Sequence, residues 1–262
     1  MTQLDSELFD SHAHLSDDSL FSDAQGVLLR AREAGISKIV NVCTDGRSLQ
    51  RGQEIRKFQP DLVFNAAAVP PHYCHESSEE DLKGIESAIL AKEVVAIGET
   101  GLDYYYGKEH RTKQIKLLER YLALAAMTHL PVFFHVRGEG AFSELFSLVR
   151  YAPVKMLIHC FTGTTLEAKQ ALDLGIDLSF SGIVTFKKSE ELRCVVKMAP
   201  LDRIHVETDS PYLAPQTKRG KTNEPSFLPE ILRTIASQKE ITPQECAKKT
   251  FENSCRFFSI CD

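Results

Sequence analysis

Four histidines and two carboxylates recur at one kind of position along this chain. His12 and His14 end the segment Asp10-Ser11-His12-Ala13-His14, Glu99 closes Ala96-Ile97-Gly98-Glu99, His135 follows Phe133-Phe134, His159 follows Leu157-Ile158, and Asp209 follows Val206-Glu207-Thr208. Each stands at or just past the end of a short apolar run. Neutral imidazole and carboxylate are ligands for divalent ions such as Zn or Mn, and carboxylate-rich sites also accept Mg. On a strand, residues two apart share a face, so His12 and His14 project together. Six such groups exceed what one tetrahedral ion with an open position uses. Two divalent ions bridged by a carboxylate would use them all.

The chemistry implied is hydrolysis. Two ions roughly 3.5–4 Å apart can clamp the attacking and leaving oxygens of an in-line displacement, and they lower the pKa of water from 15.7 toward about 7. Two divalent cations against two carboxylates leave a surplus of about +2, which balances one phosphodiester and one hydroxide. Glu99 is the natural bridging ligand. His12, His14 and Asp209 would hold one ion, and His135 with His159 the other. A carboxylate touching both metal and water can orient a nucleophile, so Asp209 is also the candidate general base, and Glu99 and Asp209 are the catalytic pair. Arg137 shares a face with His135, and its planar fork suits phosphate oxygens, which makes it the candidate substrate clamp. Glu207 reads either as a hydrogen-bonded structural carboxylate or as a group that orients a ligating histidine from behind, while His205 lies deeper, as a core residue. His72 and His75, beside Pro70-Pro71, read as a solvated loop, and His110 and His129 as helix ends. Tyr104, Tyr105 and Tyr106 follow Asp103 at the same mouth, where rings stack on bases or pack a loop. Lys218, Arg219 and Lys221 offer phosphate-steering charge near it.

These side chains need a scaffold that brings distant strand ends together. Apolar, β-branched runs predict strands at 8–12, 38–43, 62–68, 94–99, 132–136, 155–160, 177–181 and 204–207. Amphipathic stretches predict helices near 20–34, 47–58, 78–92, 109–129, 139–150, 165–174, 189–199 and 227–238, with a last one at 243–258. Gly35 and Gly175 mark helix ends. Thr242-Pro243 opens the final helix with a capping residue and a proline at the first helical position. Eight strand–helix units without a linker predict one α/β domain over 1–262, a (β/α)8 TIM barrel, whose active sites form at the strands' C-terminal ends. A doubly wound open sheet normally begins with a glycine-rich phosphate loop, and none follows the first strand.

Composition narrows the partners. The 262 residues carry 31 Lys plus Arg against 36 Asp plus Glu, a formal net charge of −5. That excludes a broad basic nucleic-acid coat but not a nucleic-acid substrate, because bound metal supplies positive charge locally. No apolar run reaches the ~18–20 residues of a membrane helix, and the first residues lack a secretory pattern. A soluble, cytoplasmic monomer is expected. The seven cysteines show no Cys-x-x-Cys pair, which predicts reduced, mostly buried thiols.

Taken together, Asp10-Ser11-His12-Ala13-His14, Gly98-Glu99-Thr100-Gly101-Leu102-Asp103-Tyr104, Phe134-His135-Val136-Arg137, Ile158-His159-Cys160-Phe161-Thr162-Gly163, Glu207-Thr208-Asp209-Ser210-Pro211 and Arg219-Gly220-Lys221-Thr222-Asn223-Glu224-Pro225 resemble, in order, the motif set of the TatD-like metal-dependent deoxyribonucleases. The resemblance implies an amidohydrolase-like barrel with a divalent-metal centre at His12, His14, Glu99, His135, His159 and Asp209. It further implies phosphodiester hydrolysis on DNA, as a 3′-to-5′ exonuclease or an endonuclease, supported by Mg, Zn or Mn. Two readings compete. A barrel hydrolase of small esters or amides often carries a lysine carbamate on strand four, and 94–99 contains no lysine. A metal-binding scaffold without turnover would not require a candidate base.

Overall fold

The computed structural model describes residues 6–260, so both extreme ends of the expected 1–262 unit, with Cys261, lie outside the described residues. Eight strands run in chain order: β1 (Leu8–Ala13), β2 (Ile36–Cys43), β3 (Val63–Ala67), β4 (Ala96–Asp103), β5 (Val132–Arg137), β6 (Met156–Ile158), β7 (Ile176–Phe180) and β8 (Ile204–Val206). Each pairs in parallel with the next, giving one eight-stranded sheet in sequential order. The ring is joined just beyond β8. There Asp209 N–H donates to the His12 carbonyl at 2.9 Å and His14 N–H to the Ser210 carbonyl at 2.7 Å. This is a TIM barrel, as the strand–helix alternation predicts.

Two apolar layers hold it. Parallel strands are covered on their outer face by helices, and here Ile39, Ile97, Phe134 and Leu178 pack outward against Ile85, Leu118, Leu145 and Val195. Inside, Phe9, Val40, Ala66, Ala96, Phe133 and Leu157 form a separate cluster with Phe257 and Phe258. These last two rings come from the closing helix Pro243–Phe258, and Phe258 stacks on Phe9 with ring centres 5.8 Å apart. Burying each ring is worth roughly 1.5–3 kcal/mol. The plug seals the strands' N-terminal end, so only the C-terminal mouth is open to chemistry.

Most predicted boundaries fall within a residue or two. Thr242 caps the last helix by accepting Glu245 N–H at 3.1 Å. Three differences bear on the site. β4 runs on to Asp103, so Glu99 stands inside a strand, where the ladder to β5 shifts register between Ile97 and Thr100. β6 ends at Ile158, leaving His159 and Cys160 in the turn, with Cys160 in the left-handed region at φ 44°. β8 ends at Val206, and Asp209 is likewise left-handed at φ 55°, a conformation Asp tolerates. The helix expected at 20–34 is broken into Asp18–Phe21 and Ala24–Glu33.

The thiol expectation needs one correction. Cys43 and Cys246 are buried and free, Cys74 and Cys160 are half-buried and free, and Cys194 is exposed and free. Cys255 is disulfide-bonded, at a helix end where the chain folds back and Ile260 N–H reaches the Cys255 carbonyl at 3.2 Å. Among the described residues no helix is long and apolar enough to cross a membrane.

Candidate metal centre

All six sequence-predicted metal ligands meet at the barrel mouth, and they do so as two triangles. In the first, His12 Nε2 and His14 Nε2 face each other at 3.1 Å, and Asp209 Oδ1 lies 3.6 Å from the one and 3.5 Å from the other. In the second, His159 Nε2 is 2.6 Å from Glu99 Oε2. His135 Nδ1 completes it, 3.5 Å from the same Glu99 oxygen and 3.3 Å from His159 Nε2. Glu99 also groups with His12, so it stands between the triangles.

Local structure explains the convergence. The β1–β2 ladder shifts register between Asp10 and Ala13. Ser11 and His12 therefore both reach the interior, which strict alternation forbids and a bulge permits. Ser11 Oγ meets Ser179 Oγ at 3.2 Å, and the His12 ring lies 5.3 Å from that of Phe133. On β5 the alternation is regular and points Phe133, His135 and Arg137 to one side. Gly101 sits at φ +135° beside β5, and a Cβ there would come 2.2 Å from the His135 carbonyl oxygen. Only glycine allows β4 to approach the His135 backbone so closely. Asp10, buried at the β1–β8 seam, accepts Thr208 N–H at 2.9 Å and Thr208 Oγ1–H at 2.6 Å. Burial pushes its carboxyl up to about 8, against the lowering effect of Thr208.

The residues present fit divalent metal. Ligands about 2.1 Å from a common ion lie about 3.0–3.4 Å apart at octahedral or tetrahedral angles, close to the 3.1–3.6 Å of the first triangle. Burial, reinforced by His159 and His14, holds the His12 imidazole well below its ordinary pKa, in the neutral form a metal needs. Its Nδ1 is buried without a hydrogen-bond partner. Burial opposes charge on His159 too, but Glu99 and Glu207 overcome it and raise its pKa well above the usual range. Burial likewise works against the Glu99 carboxylate, and His159 and His135 hold it well below the ordinary value. Such surroundings favour a positive charge at their centre.

Behind the triangles stand two further carboxylates. Asp103 Oδ2 accepts from His135 Nε2 at 2.8 Å, which aims Nδ1 at Glu99. Glu207 Oε1 accepts Cys160 N–H at 2.7 Å and lies 3.5 Å from His159 Nδ1. Glu207 thus combines both sequence readings, hydrogen-bonded to backbone and placed behind a candidate ligand. Asp103 is the residue that sequence reasoning missed. Its signal was its place four residues after Glu99 in the same motif. His205 is buried and bonded to Ser254 Oγ at 2.9 Å and Asp177 Oδ2 at 3.1 Å, matching a core role.

His72 departs from expectation. It is half-buried rather than on an open loop, since the turn Pro71–Tyr73 carries it over the site, where it groups with Glu99 and His135 within ligand distance. Its ring centre is 5.3 Å from that of His135. The turn is fastened from below by Val69 N–H donating to Tyr121 Oη at 2.9 Å. Nothing in Pro70-Pro71-His72 alone announces that placement.

The cleft above the cluster has a volume of about 1320 Å³, and Arg137 lines it. The Arg137 guanidinium lies 4.2 Å and 4.8 Å from the ring centres of Tyr105 and Tyr106. The loop bearing Lys218, Arg219 and Lys221 does not line the cleft. Lys218 lies over the Phe227 ring and Arg219 over Phe186. Asn223 Nδ2 ties the loop to the Thr208 and Tyr212 carbonyls at 2.8 and 2.6 Å. Lys218 and Arg219 thus lie against rings of their own surroundings rather than on the cleft wall.

Known proteins are similar to this chain along nearly its whole length. Residues 9–259 match the family model of TatD related DNase. An uncharacterized metal-dependent hydrolase, YabD of Bacillus subtilis, is 36% identical over 97% of this chain and 99% of its own. The 3′-5′ ssDNA/RNA exonuclease TatD of Pantoea vagans is 32% identical over 97% of this chain and 100% of its own. The TatD homologue YJJV of Escherichia coli superposes with a TM-score of 0.89 at 24% identity, over 96% of this chain and 98% of that one. A barrel of sequential parallel strands, His/Glu/Asp clusters suited to metal at its mouth, and a family match over nearly the whole length converge on one assignment: the chain belongs to the TatD family of metal-dependent hydrolases.

Proposed function

We propose that the protein is a deoxyribonuclease that hydrolyses phosphodiester bonds with two divalent ions, as a 3′-to-5′ exonuclease, an endonuclease or both. The observation that carries this reading is the pair of ligand triangles with Glu99 standing between them, and Arg137 on the wall of the same cleft. The name of the Pantoea vagans relative, a ssDNA/RNA exonuclease, supports the substrate class. The cleft, at about 1320 Å³, exceeds the roughly 300–1,000 Å³ of pockets built around small ligands, which favours a polymer over a small ester.

When bound, the ions supply charge neutralisation for the phosphate and a lowered pKa for the attacking water. The chain's own residues do the rest. His12, His14 and Asp209 form one ligand set, and His135 and His159 the other. Glu99, held anionic by His159 and His135, stands between the two sets and would supply a carboxylate to the ions held there. Asp209 is the general base: its Oδ1 faces His12 and His14, and a carboxylate that touches both metal and water can orient the nucleophile. Arg137 clamps the phosphate with its planar fork.

The test is cleavage of end-labelled single-stranded DNA after chelation and after adding Mg, Mn or Zn, with Asp209→Asn treated identically. Metal-dependent shortening should fall by about 10²–10⁴-fold in the variant, the usual contribution of a positioned base. Absence of cleavage with every metal overturns the nuclease reading.

A further inference from the structure

Tyrosines are distributed unevenly over this surface. Of the seven in the chain, Tyr73, Tyr105, Tyr106, Tyr151 and Tyr212 are exposed. Tyr73, Tyr106 and Tyr212 line the cleft above the metal-ligand cluster. Tyr105 adjoins it, edge-on to Tyr106 with ring centres 4.7 Å apart. Tyr105 and Tyr106 leave 65% and 64% of their surface to solvent, while the preceding residue, Tyr104, leaves 9%. Tyr104 shows what a packing tyrosine looks like in this loop, with its ring inside and its hydroxyl donating to Glu144 Oε2 at 2.5 Å. Its two neighbours have no such role.

Their backbone is nonetheless fixed. Asp103 Oδ1 accepts Tyr105 N–H at 2.9 Å and Tyr106 N–H at 2.8 Å. Gln114 brackets the same turn, accepting Asp103 N–H at 2.8 Å and donating to the Gly107 carbonyl at 2.8 Å. From the other side Gly138, at φ +96°, presses so close that a Cβ would lie 2.7 Å from Tyr105 N. Two exposed rings on a clamped backbone lose little entropy when something stacks on them. The Arg137 guanidinium lies over both rings and brings a cation to the same spot. The same Asp103 carboxyl group that holds this turn bonds His135, so platform and candidate metal ligand share one anchor.

We propose that Tyr105 and Tyr106, with the Arg137 guanidinium over them, form a base-stacking platform that receives an unstacked nucleobase of a single-stranded nucleic acid, while Arg137 holds the flanking phosphate. The assignment rests on the nuclease reading for its substrate. Aromatic faces and guanidinium planes are the surfaces on which splayed bases stack, independently of sequence. A chain of net charge −5 offers a polyanion little overall attraction, so stacking adds to what local phosphate contacts supply. A duplex keeps its bases paired and stacked and offers the platform no free face.

The test is fluorescence anisotropy of a labelled single-stranded decamer with non-hydrolysable phosphorothioate linkages, titrated with the metal-loaded protein. Tyr105→Ala/Tyr106→Ala should weaken binding about 10- to 100-fold, the range of one or two base–aromatic stacks, and Tyr105→Phe/Tyr106→Phe should restore it. Tyr151→Ala, at an exposed tyrosine outside the cleft, is the control that should not change it. An abasic site walked along the decamer should weaken wild-type binding at one position and have no further effect there in the double alanine variant. Equal affinity of wild type and double alanine variant, or abasic losses that persist in the variant, would overturn the platform. A protein that hydrolyses phosphodiesters but binds no strand also overturns it, leaving the metal chemistry standing. One that binds strands through these rings but cleaves none overturns the nuclease reading instead.

Discussion

Asp103 bonds His135 Nε2 through one carboxylate oxygen and the Tyr105 and Tyr106 amides through the other. Burial alone would raise its pKa, but these partners, His135 foremost, pull it below the usual carboxylate range, so it stays an acceptor. That acceptor fixes the His135 tautomer with Nδ1 free toward Glu99. Replacing the carboxylate with an amide lets the imidazole turn and lose basicity. Asp103→Asn should therefore weaken metal binding about 10–100-fold, the usual cost of losing the partner behind a ligating histidine, with the fold intact by circular dichroism. Unchanged affinity by calorimetric titration with Mn or Zn would contradict the role given to Asp103. Residues such as His12, His14, Glu99, His135, His159 and Asp209 were legible because strand ends are legible and barrels gather them. Asp103 and His72 were not. What each does depends on a partner in another element, and one sequence carries no record of that pairing.

At the scale of elements, alternation of apolar and polar residues predicts the strands but not their irregularities. The register shifts at Asp10–Ala13 and at Ile97–Thr100 turn His12 and Glu99 inward. Both arise from backbone fit against a neighbouring strand, which no local pattern encodes. Gly101 is the element-level residue whose loss should matter most. With φ +135° and the His135 carbonyl oxygen 2.2 Å from an added Cβ, Gly101→Ala forces β4 away from β5. A loss of at least about 1–3 kcal/mol is expected from the backbone strain alone, read as a shifted urea midpoint. A midpoint equal to wild type would show that the strands separate freely. Asp177 makes a different contribution at the β7–β8 edge, bonding Arg203 and His205. Burial raises its pKa, but His205 and Arg203 overcome that and depress it. A carboxyl depressed in the folded state stabilises fully above its unfolded value near ~3.9, and that stability is lost as pH falls through the folded value. Asp177→Asn should cost about 1–3 kcal/mol at pH 7, because buried donors lose their charged acceptor. The deficit should shrink below about pH 4. A deficit independent of pH would assign it to packing instead.

The whole molecule separates stability from chemistry along the barrel axis. Phe9, Phe257 and Phe258 seal one end, and four carboxylates, Glu99, Asp103, Glu207 and Asp209, gather with five imidazoles, His72 included, at the other. Metal binding should stabilise this arrangement. At a free concentration a hundred times the dissociation constant, one site contributes about 2.7 kcal/mol, so chelation should lower the melting temperature and Mn or Zn should restore it. The central claim is that the two ligand triangles act as one dinuclear centre, and titrating the chelated protein with Mn while following bound metal and phosphodiester hydrolysis in the same samples tests it most directly. The account predicts binding that saturates at two ions per chain, with hydrolysis rising as the second site fills. Saturation at one ion with full activity, or two ions bound with no hydrolysis of any phosphodiester, would contradict it.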